Sequence, residues 1–277
     1  MYARKPANLD ELSGILETDL KKINKSIIKS QTIVFYDTCS IGNHARLNPI
    51  TNNYDILDYF LKDDMVIITD KILEEMINTE TESISQQYID YLNALLGRVS
   101  GIFLLCECEI ENLLELKYDT QQARENIDLS IKTTLYQASF PVKRDLIYKA
   151  DKGSKDFLVE LLTAIDVASK NRGEISILLC LLIIDSIRSK NFRILTDDKA
   201  ALPYLMKSFE TREEIKSNIA IESTPKIVQN LFETNPEWSS KDAGSLEQVL
   251  CVVRTDQNNK ILFKHKVDGR VYLSTEK

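Results

Sequence analysis

Three short apolar runs, each ending on an aspartate, constrain the fold of this chain more than any other feature. They are Thr32-Ile-Val-Phe-Tyr-Asp37, Met65-Val-Ile-Ile-Thr-Asp70 and Phe192-Arg-Ile-Leu-Thr-Asp-Asp198. Each is rich in Ile and Val and bounded by polar residues, the pattern of a strand covered on both faces. Between them lie segments of helical periodicity, and that alternation predicts an α/β fold, a doubly wound parallel sheet flanked by helices. In such a sheet the ligand crevice lies outside the carboxyl ends of the strands. Acids delivered to that edge repel one another unless a hard cation sits among them, so the expectation is a carboxylate metal site.

The organisation around these strands is uneven. Leu9, Leu12, Leu16, Leu20, Ile23 and Ile27 recur at helical spacing, which predicts an N-terminal amphipathic helix over 1–30, packed on the same domain or forming a homodimer contact. Further helices are expected near 55–61, from about 70, over 85–97 and through much of 110–170, with a strand at Ile102–Cys106. A polar loop is expected through His44 and Arg46, and a buried helix from Glu174 to Arg188, apolar on nearly all sides. The main domain is placed at 31–244 with a helical insertion at about 105–165. Val249–Val253, Ile261–Lys266 and Val271–Ser274, with Asp268-Gly269 as a hairpin turn, predict a small C-terminal β-meander over 245–277.

Several function classes are disfavoured. The net charge of −7 argues against broad attraction to nucleic acid while leaving room for a local basic groove. Cys39, Cys106, Cys108, Cys180 and Cys251 are scattered, with no Cys-x-x-Cys pair, so neither a zinc ribbon nor a disulfide framework is expected. The longest apolar stretch, Ile175 to Ile184, is too short to span a bilayer, and the N-terminus lacks a signal-peptide core. A cytoplasmic protein without membrane contact is expected. With only His44 and His265, a Ser-His-Asp triad is disfavoured. No Gly-x4-Gly-Lys-Ser/Thr or Gly-x-Gly-x-x-Gly loop occurs, and Cys39 stands where a haloacid-dehalogenase-like phosphatase needs its second aspartate.

The candidate acids are Asp37, Glu74 or Glu75, Glu174, and Asp197 or Asp198. Taken singly, Asp37 also suits a helix cap and Glu174 also complements a helix dipole. Taken in order, with Val34-Phe-Tyr-Asp37-Thr-Cys-Ser-Ile41, Ile72-Leu-Glu-Glu75-Met, Gly173-Glu174-Ile-Ser-Ile177 and Ile194-Leu-Thr-Asp197-Asp198-Lys-Ala, the chain resembles the PIN-domain (PIN-like) nucleases. The resemblance covers roughly 32–77 and 172–205. It implies a PIN-like sheet and catalytic acids at Asp37, Glu75, Glu174 and Asp198, with Asp197 as an accessory metal ligand. It also implies Mg²⁺ or Mn²⁺ as cofactor and hydrolysis of phosphodiesters, RNA more than DNA. Glu75 is preferred to Glu74 because the family's glutamate usually precedes an apolar residue, here Met76. The separation of 99 positions from Glu75 to Glu174 exceeds what a compact member needs, hence the insertion.

Substrate contact is expected from Arg193 and Lys199 near the third strand, with Arg188 and Lys190 beside them. A second basic group comprises Lys143, Arg144, Lys149, Lys152 and Lys155 in the insertion. The second group also reads as a solvated helix face. A toxin or phage-defence effector, with an inhibitor or antitoxin protein as partner, is the expected setting. The alternative is a non-catalytic PIN-like module that binds nucleic acid or protein.

Overall fold

The computed structural model describes residues 4–47, 56–137, 151–168, 172–198, 205, 217–234, 263–265 and 271–273. Six strands form one all-parallel sheet: β1 (Leu16–Glu17), β2 (Thr32–Tyr36), β3 (Met65–Thr69), β4 (Gly101–Leu105), β5 (Asn191–Leu195) and β6 (Ile219–Glu222). Their spatial order is β1-β4-β3-β2-β5-β6. The chain leaves β2 toward β3 and β4 on one side, and β5 and β6 lie on the other. The β2–β5 junction is therefore the topological switch point, where doubly wound sheets form their ligand crevice.

Every residue of β3 and all but the first of β2 are buried. Successive side chains of a strand point to opposite faces, so this pattern requires cover on both. The helices supply it in two contact groups. One comprises α3 (Thr38–Leu47), α5 (Gln86–Leu96) and α10 (Thr224–Thr234). The other comprises α2 (Leu20–Lys29), α4 (Asp70–Glu75), α6 (Ile110–Glu115), α7 (Thr120–Gln137) and α9 (Arg172–Ile187). In α9 every residue from Ile175 to Ile184 is buried, as its all-round apolar sequence requires. Between β4 and α9 lie α6, α7 and α8 (Phe157–Ala168). No helix among the described residues is long and apolar enough to cross a membrane.

The N-terminal segment is not one helix. It comprises α1 (Leu9–Leu12), strand β1 and then α2, because Leu16 and Glu17 pair with Ile102 and Phe103 and extend the sheet. Asp19 then starts α2 afresh by accepting from the backbone of Lys21 and Lys22 at 2.8 and 3.0 Å. His44 is likewise not in a loop: α3 runs directly from β2 and buries it completely. In the tail, β7 (Phe263–His265) and β8 (Val271–Leu273) form a separate antiparallel pair. The expected strand at 249–253 and the Asp268-Gly269 turn lie outside the described residues.

Candidate active site

The site is built on the carboxyl edge at the switch point. Asp37 follows β2 directly, and its backbone N–H donates to Leu195 O at 2.9 Å, locking it to β5. The Thr196 hydroxyl, one residue past β5, donates to Asp37 Oδ2 at 2.9 Å. Asp37 is only 4% exposed, and this burial, reinforced by the charges of Glu174 and Asp198, raises its carboxyl to about 7 despite the Thr196 bond.

Glu75 ends α4 and reaches solvent, but its carboxylate turns toward α3, where Thr38 Oγ1 donates to Oε2 at 3.0 Å. Burial and the charge of Asp37 raise its carboxyl above the ordinary range. Glu74, its neighbour, turns away to Lys71 at 3.6 Å. Glu174 lies in the first turn of α9, and its carboxyl is also raised, first by burial and then by Glu75 and Asp198. The Asp198 backbone N–H donates to Thr196 Oγ1 at 3.2 Å. Asp37, Glu75, Glu174 and Asp198 thus form one electrostatically coupled set, delivered by β2, α4, α9 and the end of β5. The Cys39 thiol reaches solvent beside them. Packing around its sulfur and the charges of Asp37, Asp198, Asp197 and Glu75 push it up to about 12, so it is no nucleophile near neutral pH.

Asp197 does different work. Its Oδ1 accepts from Thr224 N at 2.6 Å, and its Oδ2 accepts from Asn43 Nδ2 at 2.6 Å and from the Thr224 hydroxyl. Both oxygens are engaged in joining β5, α3 and the start of α10. That occupancy suits a scaffold residue better than the accessory metal ligand expected from sequence. Asn43 and Thr224 were not foreseen; Thr224 carried a legible signal, since a threonine opening an apolar-periodic segment marks a helix start.

A second buried polar group stands beside the first. Arg172, the first residue of α9, donates from Nη1 to Glu107 Oε1 at 2.6 Å and from Nη2 to Glu107 Oε2, and its Nε donates to Asp166 at 2.5 Å. Asp70, the second strand-end aspartate, accepts from the Glu107 backbone N–H at 3.3 Å. Its carboxyl is raised to about 6, first by burial and next by Glu107. It belongs to this group and not to the set around Asp37.

The basic residues divide. Arg193 is held by Asp64 at 3.1 Å and Glu222 at 3.3 Å, and its guanidinium lies 3.9 Å over the Tyr59 ring. These contacts commit it to the sheet, so it is not a free phosphate contact. Arg188 and Lys190 are at the opposite, amino end of β5. They donate to Ile28 O at 3.2 and 3.1 Å, closing the C-terminus of α2. Lys152 pairs with Asp128 at 2.9 Å. Lys143, Arg144, Lys149 and Lys199 lie outside the described residues.

The four acids offer oxygen donors, the chemistry of a hard divalent cation. Among the described residues, however, no three His, Cys, Asp or Glu side chains converge in an arrangement that would hold a metal ion. The structure thus gives the edge, the acids and their mutual repulsion, with the carboxylates held by Thr196 and Thr38. No protein-family model, curated protein or solved structure matches this chain.

Proposed function

We propose that this protein is a PIN-like, Mg²⁺- or Mn²⁺-dependent nuclease acting on RNA. The observation that carries the reading is the coupling of four acids from four separate elements at one topological switch point. Leaving aside the short edge strand β1, the order β4-β3-β2-β5-β6 is the 3-2-1-4-5 order of a doubly wound sheet, which supports the family expectation.

In this reading Asp37 and Asp198 are the firmest ligands, with Glu75 and Glu174 completing the set. A bound Mg²⁺ or Mn²⁺ would supply Lewis acidity toward a phosphodiester and neutralise the repulsion among the acids. Thr196 fixes one oxygen of Asp37, and the Thr38 backbone N–H also bonds that carboxylate. Thr38 orients Glu75 in the same way. The Asp197–Asn43–Thr224 set holds the loop after β5, so Asp198 is presented by a fixed backbone.

A non-catalytic PIN-like module is the second reading, favoured by the missing convergence of ligands among the described residues. One experiment separates them. End-labelled RNA and single-stranded DNA are incubated with Mn²⁺ and with wild type, Asp37→Asn or Asp198→Asn purified identically. Cleavage by wild type and loss in both variants is the expected result. Equal cleavage by all three, or none by any, would remove the nuclease assignment in favour of the binding module.

A further inference from the structure

A separate cleft of about 530 Å³ opens at the opposite corner of the molecule, between α2 and the β1–β4 edge of the sheet. Three sheet positions separate β1 from β2, about 14 Å at the usual strand spacing. The β1–β4 pairing also lies near the amino end of β4, so the cleft stands roughly 20 Å from Asp37. It is independent of the acidic edge.

One wall carries Lys22, Lys25, Ser26 and Lys29, a single face of α2 by helical spacing. Between Leu20 and Lys29 the sequence holds Lys21, Lys22, Lys25 and Lys29 and no acid, within a chain whose net charge is −7. Lys22 is paired with Glu17 at 2.6 Å. Lys25 and Lys29 are exposed and have no carboxylate partner among the described residues. Lys29 alone would be explained by the helix dipole, which acts within the last turn. Lys25 and Lys22 lie outside that explanation and line the same cavity. The rest of the lining is mixed: apolar Leu16, Leu96, Ile102 and Phe103, of which Leu96 is the most exposed, beside Ser13, Thr18, Ser100 and the Glu17 carboxylate.

We propose that this cleft binds a nucleotide, with its phosphates on Lys25 and Lys29 and its base and sugar against the Leu96–Phe103 wall. Lysine ammonium groups bind phosphate as mobile point charges. A cleft of this size belongs to the range of small-ligand sites and bounds the occupant to about one nucleotide. An extended acidic peptide would lie along the lysine face without using the apolar wall, so the combination favours the nucleotide.

The test is fluorescence titration of a ribose-labelled ATP with the full chain, in EDTA so that no divalent ion bridges phosphates to the acidic edge. Wild type is compared with Lys25→Glu/Lys29→Glu and with Lys21→Glu, whose side chain does not line the cleft. All three positions are exposed, and matching thermal midpoints will confirm intact folding. Saturable binding is expected, displaced by unlabelled ATP, weakened about tenfold or more in the double variant and less than about twofold in Lys21→Glu. Absence of saturable binding below about 1 mM would overturn the proposal. So would equal affinity in all three proteins, or displacement by a polyglutamate peptide and not by ATP.

Discussion

The Thr196 hydroxyl donates to Asp37 Oδ2 across the β2–β5 junction, so the two strands that meet at the switch point are joined by a side-chain bond at their carboxyl ends. Thr196→Val keeps the shape and removes the donor. Residues that orient a ligand in this way typically matter by about 10–100-fold in activity or metal affinity. Cleavage rate and Mn²⁺ affinity are expected to fall by that order in Thr196→Val, and Thr196→Ser should retain most of both. Equal loss in the serine variant would mean that the methyl packing, and not the hydrogen bond, is what matters.

Asp37 itself gives a stability signature. Its folded-state carboxyl is raised to about 7, above its ordinary value, so between about pH 4 and 7 the folded protein holds a proton that the unfolded chain has released. Stability from this group is present at low pH and is lost as pH rises through 7. Asp37→Asn removes the ionisation. In EDTA the variant is expected to be more stable than wild type at pH 8, on the order of a few kcal/mol, with the difference shrinking toward pH 5. In Mn²⁺ the order should reverse, because ligand binding stabilises only the chain that binds. Thermal melts at the two pH values, with and without Mn²⁺, measure both effects.

Gly173 is where function and stability should separate. A Cβ there would lie 2.8 Å from Glu75 Oε1, 2.9 Å from Ile72 Cδ1 and 3.1 Å from Glu75 Oε2. These are the far ends of flexible side chains, so they can yield. Gly173 is only the second residue of α9, so the helix-interior advantage of alanine over glycine, about 1 kcal/mol, acts there only in part. Gly173→Ala is expected to change the thermal midpoint little while displacing the Glu75 carboxylate from Thr38, with Mn²⁺ affinity falling about tenfold. A large drop in thermal midpoint with full metal affinity would show that Glu75 yields nothing and the helix moves instead.

How far the sequence revealed this arrangement depends on whether a residue's role is local. The three Asp-tipped strands and helix α9 were legible, because burial on all sides leaves a pattern in consecutive residues. Asp70 looked equivalent to Asp37 in sequence, but strand order and the position of Glu107 assign it to a different polar group. β1 was hidden because a two-residue edge strand carries no periodicity and its leucine fits the helical spacing of its neighbours. β6, at the other edge, is partly exposed throughout and equally quiet. Arg193 read as a substrate contact because its partners, Tyr59, Asp64 and Glu222, are far away in the chain. The role of Asp197 was concealed for the same reason.

Arg172 and Glu107 form a buried pair that fixes the start of α9, two residues before Glu174. Glu107 is almost fully enclosed, so Arg172→Met leaves a buried carboxylate without its partner. Such losses cost about 3–5 kcal/mol, whereas replacing both partners with neutral groups of similar size costs far less. Arg172→Met is therefore expected to lower stability by that order, and Arg172→Met/Glu107→Gln to recover a substantial part. A double variant as unstable as the single one would locate the energy in Asp166 and the packing of α8 instead.

His44 provides a second pH test. It is fully buried against Tyr36 and Tyr91, and burial depresses its ring to about 3. Its Nδ1 contacts the Tyr36 hydroxyl, which in turn bonds Tyr91 at 2.7 Å. A depressed histidine contributes stability that is complete above its unfolded value, about 6.5. Below that pH the unfolded chain gains a proton that the folded chain refuses, so stability falls with acidification toward pH 3. His44→Gln keeps a polar side chain in the site without titrating there. The stability of wild type between pH 6.5 and 4, measured by urea unfolding, should fall more steeply than that of His44→Gln, by about one proton's worth of slope. Parallel curves would mean that the folded protein admits the proton and that His44 is not sealed from solvent.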